Sequence, residues 1–197
     1  WQAYLGEYGG YGYAYRDDSN RVLWPQGQDK WGGCTKHRLG IMNTFLNKMG
    51  FTEDDRVLIT HIDDIGFCHA ANTASFECLD SGAATCGSVL VNAPWFPEAA
   101  AICRQNPQYD VGVHLTFTCE YSALRWSAIS TSDLKSGLVD AEGYLWRTRE
   151  DAIRHVKEEA AEAEMRAQID RALEAGIDVT HIDTHMGSVV HPKFISS

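Results

Sequence analysis

Arg56-Val57-Leu58-Ile59-Thr60-His61-Ile62-Asp63-Asp64-Ile65-Gly66 is the stretch on which the fold of this chain turns. Its apolar and β-branched run from Arg56 to Asp63 reads as a buried strand, closed by two carboxylates. Phe67–Leu79 then reads as a helix that packs through Ala70, Ala71, Ala74 and Cys78, with Ser81-Gly82 at its end. The alternation continues with a strand over Thr85–Val91, a helix over Pro97–Arg104 stopped by Asn106-Pro107, and a strand over Asp110–Phe117. After a long segment, 119–147, Glu150–Ala175 reads as one long helix ended by Gly176, and Val179–Asp183 as a fourth strand. Strands alternating with helices imply an α/β fold with parallel pairing and right-handed crossovers. Four strands do not close an eight-stranded barrel.

Upstream of this rhythm the chain reads differently. In residues 1–37, Tyr4, Tyr8, Tyr11, Tyr13 and Tyr15 alternate with Gly6, Gly9, Gly10 and Gly12, without a sustained period. An irregular arm is expected there. Residues 38–50 place Leu39, Met42, Phe45, Leu46 and Met49 at helical spacing, as a packing helix would. The domain division is therefore an arm over 1–37 and a (β/α) domain over 38–197. Trp1 stands where an initiator Met would, and the chain stops at Ser197 just after a helix start at Pro192. Both features lead to the expectation of a piece of a longer chain.

Composition narrows the function. The 197 residues are 44% hydrophobic and 22% charged, as in an ordinary globular domain. A formal net charge of -10 argues against nucleic acid or an anionic membrane surface as partner. No apolar run approaches the roughly 20 residues of a membrane span. Six cysteines are present with no C-x-x-C pair, and most sit in apolar contexts. Reduced thiols and a cytoplasmic location are expected. Self-association into a homo-oligomer is left open.

Three strand ends carry metal-binding residue types: Asp63-Asp64, then His114 in Val111-Gly112-Val113-His114-Leu115-Thr116, then His181, Asp183 and His185 in Val179-Thr180-His181-Ile182-Asp183-Thr184-His185. Parallel α/β folds gather their sites at such ends. Each motif alone has a bland reading. Adjacent Asp residues are more often a solvated turn, and a lone His in an apolar strand is more often a hydrogen-bonded core residue. Side chains alternate along a strand, so Asp63 and Asp64 would diverge unless a turn at Gly66 re-aims them. Gly112 signals a close approach of backbone or ligand. His181, Asp183 and His185, at i, i+2 and i+4, would share one strand face, and a carboxylate there could orient a ligating ring. Together the three ends could bring one Asp and two His onto one cation with positions open for water.

These motifs resemble the YdjC-like carbohydrate deacetylases, also called the ChbG/HpnK family. The resemblance rests on Asp-Asp-x-Gly after the first strand, Gly-x-His-Leu-Thr at the third and Thr-His-x-Asp-Thr-His at the fourth. Asn92-Ala93-Pro94-Trp95-Phe96-Pro97-Glu98-Ala99 adds to it. It implies a partial TIM-barrel-like (β/α) fold, truncated at the C-terminus. It also implies hydrolysis of an N-acetyl group on a sugar with one divalent metal ion, Mg²⁺ or Zn²⁺. Carried over by position, Asp64, His114 and His185 would hold the metal and Asp63 would be the general base. His181 and Asp183 would support the ligands. The family's substrates are chito-oligosaccharides and acetylglucosaminyl lipids, so an acetylated sugar is the expected partner. This chain departs from the common His-x-Asp-Ser-His-x-His-x-His by running His185-Met186-Gly187. Family members also continue beyond residue 197, where the general acid for the leaving amine would lie. Trp95, Tyr121 and Trp126 are the expected sugar-contacting rings, the last two in the long segment 119–147, which also carries Tyr144 and Trp146. Two other readings compete: a different metallohydrolase on the same barrel, and a non-catalytic sugar-binding relative. No early His-x-His or bridging Lys supports the first, and the intact acidic and His positions count against the second.

Overall fold

The structure is a computed structural model of the chain, describing residues 15–16, 22–23, 48–52 and 58–195. Two compact units divide it at Leu58–Ile59. In the first, Tyr15–Arg16 (β1) pairs antiparallel with Val22–Leu23 (β2). The remainder of the arm read over 1–37, and the helix read over 38–50 up to its last residues, lie outside the described residues.

The second unit carries a four-stranded parallel sheet among the described residues. Its strands are His61–Ile65 (β3), Cys86–Val89 (β4), Val111–Leu115 (β5) and Val179–Thr184 (β6), neighbours in sequence order. Successive strands lie side by side with no reversal of order. That is the arrangement of a (β/α)-barrel segment and not of a doubly wound sheet. Among the described residues the first strand of this sheet begins at His61, just after Thr60, whose carbonyl accepts Thr85 N–H at 2.8 Å; Arg56 and Val57 of the expected strand lie outside the described residues. Asp63 and Asp64 therefore lie within the strand.

The helices are His69–Asp80 (α1), Phe96–Gln105 (α2), Arg149–His155 (α3), Glu158–Glu174 (α4) and the single turn Pro192–Ile195 (α5). Val89, Val111 and Val113 of the sheet and Leu90 and Phe117 beyond it bury against Ala99, Ala100, Ala161, Ala172 and Phe194. The four alanines let the helices lie close on the sheet. Gln168 of α4 ties the end of β5 directly. It accepts Thr116 N–H at 3.0 Å and donates to Thr116 O at 2.8 Å.

The single helix expected over Glu150–Ala175 is broken at Val156-Lys157. The Ser136–Gly137 turn intrudes there: Lys157 N–H leaves the helix ladder and donates to Ser136 O at 3.1 Å. Gly137, at φ 75°, lies so near the His155 carbonyl that a Cβ would sit 1.9 Å from its oxygen. Trp146 stacks on His155 with ring centroids 4.3 Å apart. No local propensity of Glu150–Ala175 encodes this break; a distant loop imposes it.

Segment 119–147 is packed structure. Trp126, Leu138, Val139 and Leu145 are buried, and Arg125 binds Asp140, Glu142 and the Leu145 carbonyl. The buried Glu164 of α4 anchors its middle, accepting the Ile129 and Ser130 N–H groups at 3.0 and 2.8 Å. Satisfying a buried carboxylate with several N–H donors is what permits its burial.

Candidate metal centre

Asp64, His114 and His185 converge at the C-terminal ends of β3, β5 and β6. One ligand atom from each lies within 4.8 Å of the other two. Asp64 reaches this point through an irregular backbone. The β3–β4 register slips between Ile62 and Ile65, and Asp64 sits at φ 62°, left-handed for a residue with a Cβ. A bulge of this kind re-aims a side chain, so Asp64 turns from the alternation expected of a strand. Gly66 (φ 100°) completes the turn, and Asn72 Oδ1 accepts its N–H at 2.7 Å. Asn72 is itself fixed by donating to Trp95 O and Glu98 Oε2. His185 opens a short turn off the end of β6, and Met186 after it is the other non-glycine residue with positive φ among the described residues.

The hydrogen bonds settle which ring atom of His114 faces the centre. Ser88 Oγ–H donates to Asp183 Oδ2 at 3.0 Å, so Ser88 Oγ is left as an acceptor. His114 Nδ1 lies 2.7 Å from Asp183 Oδ1 and 3.1 Å from Ser88 Oγ, and must be the donor to both. Its Nε2 lone pair then points at Asp64 Oδ1, 3.4 Å away. Two electron-rich atoms at that separation call for a cation.

His185 lies between two carboxylates, with Nδ1 3.0 Å from Asp64 Oδ1 and Nε2 3.0 Å from Glu120 Oε2. Burial works to lower its pKa, but Asp64 and Glu120 override this and raise it to about 9. Burial works to raise the Asp64 carboxyl, and the His185 and His114 imidazoles outweigh it, holding Asp64 below its ordinary value. Glu120 behaves the same way against burial, mainly through His185. Asp64 Oδ1 is buried and makes no well-aligned hydrogen bond, its close neighbours being His185 Nδ1 at 3.0 Å and His114 Nε2 at 3.4 Å. A buried carboxylate oxygen with two imidazole nitrogens turned to it fits a divalent cation, which would displace the proton that His185 holds in the metal-free chain. Each ring is backed on its far nitrogen by a carboxylate, Asp183 for His114 and Glu120 for His185, as ligating histidines usually are.

Asp63 does not join the three converging atoms, though one of its oxygens lies within 4.8 Å of a ligand atom of Asp183, which backs His114. The Asp63 side chain is 63% exposed and its Oδ1 accepts His61 Nδ1–H at 2.9 Å. Asp183 stands behind His114 and not beside His185. His181 is turned to His61, with the two Nε2 atoms 2.9 Å apart. Trp126 is 3% exposed, and its indole N–H donates to Thr118 O at 3.1 Å, so it is packing beneath Tyr121 and not an open face for a sugar. Tyr121 is half-buried, and Trp95, 43% exposed, lies beside His69. Sequence reasoning missed Glu120 and Ser88. The available signal for Glu120 was an acid just past the strand that carries His114; Ser88, inside an apolar strand, gave none.

No helix among the described residues is long and apolar enough to cross a membrane. The five cysteines among the described residues are free thiols.

The carbohydrate deacetylase of Brevibacillus brevis is 35% identical over 138 residues, 70% of this chain and 52% of that protein. The carbohydrate deacetylase of Thermus thermophilus is 36% identical over 137 residues, 70% of this chain and 46% of that protein. The chain thus spans about half the length of these curated relatives. A crystal structure from Enterococcus faecalis V583, of a protein named as a candidate for cellobiose-phosphate cleavage, superposes with a TM-score of 0.57 at 30% identity, covering 64% of this chain and 46% of that one. The model of the YdjC-like protein family matches residues 57–197, which include all three converging strand ends. The chain belongs to the YdjC-like protein family.

Proposed function

We propose that this chain carries the metal-holding part of a deacetylase site, which removes the acetyl group from an acetylated amino sugar. The observation that carries the reading is the convergence of Asp64 Oδ1, His114 Nε2 and His185 Nδ1, each ring backed by a carboxylate. Relatives named carbohydrate deacetylases support the substrate class. One oxygen and two imidazole nitrogens favour Zn²⁺ or a similar transition metal over Mg²⁺, which prefers all-oxygen shells.

Amide hydrolysis needs an attacking water, stabilised charge on the carbonyl oxygen and a proton for the amine. A divalent cation held by Asp64, His114 and His185 would supply Lewis acidity to the acetyl carbonyl and to the water. Asp183 and Glu120 hold the two imidazoles in orientation, so little reorganisation is left for the reaction. Asp63, exposed on the neighbouring backbone position, is the proposed base that takes the water's proton, and His61 N–H steadies its other role as an acceptor. Trp95, through its exposed ring, and the half-buried Tyr121 are the proposed sugar contacts.

The test is acetate release from a panel of N-acetylated chito-oligosaccharides. Release that stops with chelator and returns with Zn²⁺ is expected. Release indifferent to chelator, or no acetate from any member, contradicts the proposal.

A further inference from the structure

A second group of metal-binding side chains lies on the same sheet face. His61 of β3, Cys86 of β4 and His181 of β6 each bring one ligand atom within 4.8 Å of the other two. None of them takes part in the centre at Asp64, His114 and His185.

The hydrogen bonds around this group fix both rings. Thr180 Oγ–H has a single proton, and it donates to Asp110 Oδ1. Thr180 Oγ1 lies 2.8 Å from His181 Nδ1 and can only accept there, so His181 Nδ1 carries the proton. Asp110 Oδ1, 3.5 Å from the same nitrogen, favours that assignment. On the other ring, His61 Nδ1 lies 2.9 Å from the carboxylate oxygen Asp63 Oδ1 and is likewise the donor. In the neutral rings, both Nε2 atoms are then lone pairs, and they face one another at 2.9 Å. Two lone pairs at that distance repel unless they share a proton or a metal cation.

The surroundings are shaped for this approach. Gly112 leaves the space that His181 occupies: a Cβ there would sit 2.7 Å from His181 Nε2 and 2.5 Å from its carbonyl oxygen. The Cys86 thiol is buried on the strand paired with β3 at His61. Asp183 Oδ2 lies 3.9 Å from His61 Nε2, while its Oδ1 holds His114. Asp183 thus stands between the two groups.

We propose that His61 Nε2, His181 Nε2 and Cys86 Sγ form a second cation site, selective for a thiophilic transition metal such as Zn²⁺ and distinct from the centre at Asp64. Both imidazoles have the carboxylate or hydroxyl support on Nδ1 that metal-bound histidines show. The thiol and two imidazoles exclude Mg²⁺ and Ca²⁺, which bind through oxygen. Burial raises the Cys86 pKa, so binding would release the thiol proton. The inference does not depend on deacetylation.

Co²⁺ titration of the metal-free 197-residue chain tests it, because thiolate bound to Co²⁺ gives a near-ultraviolet charge-transfer band that oxygen and imidazole donors do not. Two equivalents and the band are expected. In C86S the band should vanish and one equivalent should remain; in D64N the band should persist with one equivalent fewer. Sulfur scattering at the zinc edge of the Zn²⁺-loaded wild type gives an independent reading should C86S fold poorly. A wild-type chain without the band, or a C86S chain that folds and keeps it, overturns the second site. One equivalent with the band, unaffected by D64N, leaves the second site standing and removes the first.

Discussion

Asp183 Oδ1 accepts His114 Nδ1–H at 2.7 Å, and that one contact decides which face of the imidazole is offered to the centre. With Nδ1 committed to Asp183 and Ser88, Nε2 is the atom turned to Asp64. Asp183→Asn can present its amide instead of an acceptor and so release the ring. Affinity for Zn²⁺ at the Asp64 centre should fall roughly 10–100-fold. Calorimetry on D183N checks this; unchanged affinity contradicts the role.

Asp63 and Asp64 should separate by function. Asp63→Asn is expected to keep the metal at the Asp64 centre and lose activity on the order of 10²–10⁴-fold, as for a removed general base. Asp64→Asn is expected to lose one equivalent of metal. Metal analysis beside acetate release distinguishes the two, and equal metal loss in both variants contradicts the division. The structural ground is the bulge that turns Asp64 to the His rings and leaves Asp63 exposed.

The metal-free chain should lose stability as the solution is made alkaline. His185 is raised to about 9 in the folded state by Asp64 and Glu120, against about 6.5 for an unperturbed His. A raised folded pKa gives stability that is full below about pH 6.5 and lost as pH rises through about 9. Glu120→Gln removes one of the two carboxylates and should shrink that loss. Chemical denaturation of both proteins at pH 6 and pH 9 measures it; an identical pH effect in wild type and E120Q rules out Glu120 as a cause.

Gly137→Ala should destabilise the fold away from the centre. The position has φ 75°, and a methyl group would meet the His155 carbonyl oxygen at 1.9 Å. A loss of about 1–3 kcal/mol is expected, the range of overpacked positions. Denaturation at fixed pH gives the value, and a change near zero contradicts the close packing of the 134–137 turn on the α3–α4 break.

The sheet was legible because each of its four strands lies in or directly after a short apolar or β-branched run flanked by helix or turn signals. Placement of Asp64, His114 and His185 at strand ends made their convergence legible too. What sequence could not carry was set by distant contacts. The break at Val156 comes from the Ser136–Gly137 turn, and the bulge at Asp64 comes from pairing with β4. The partner of His114 is Asp183, across a β5–β6 pairing, and the partner of His185 is Glu120, from the segment after β5. Trp126 shows the opposite limit: an aromatic residue in a long loop suggests a sugar contact, but its packing partners bury it.

The most direct measurement of the central claim is Zn²⁺ calorimetry on the metal-free wild type, His114→Ala and His185→Ala, each shown to be folded by circular dichroism. Loss of one equivalent in either variant is predicted, because two remaining ligands hold a cation poorly. Wild-type stoichiometry and affinity in a folded H114A or H185A would show that Asp64, His114 and His185 are not a metal centre.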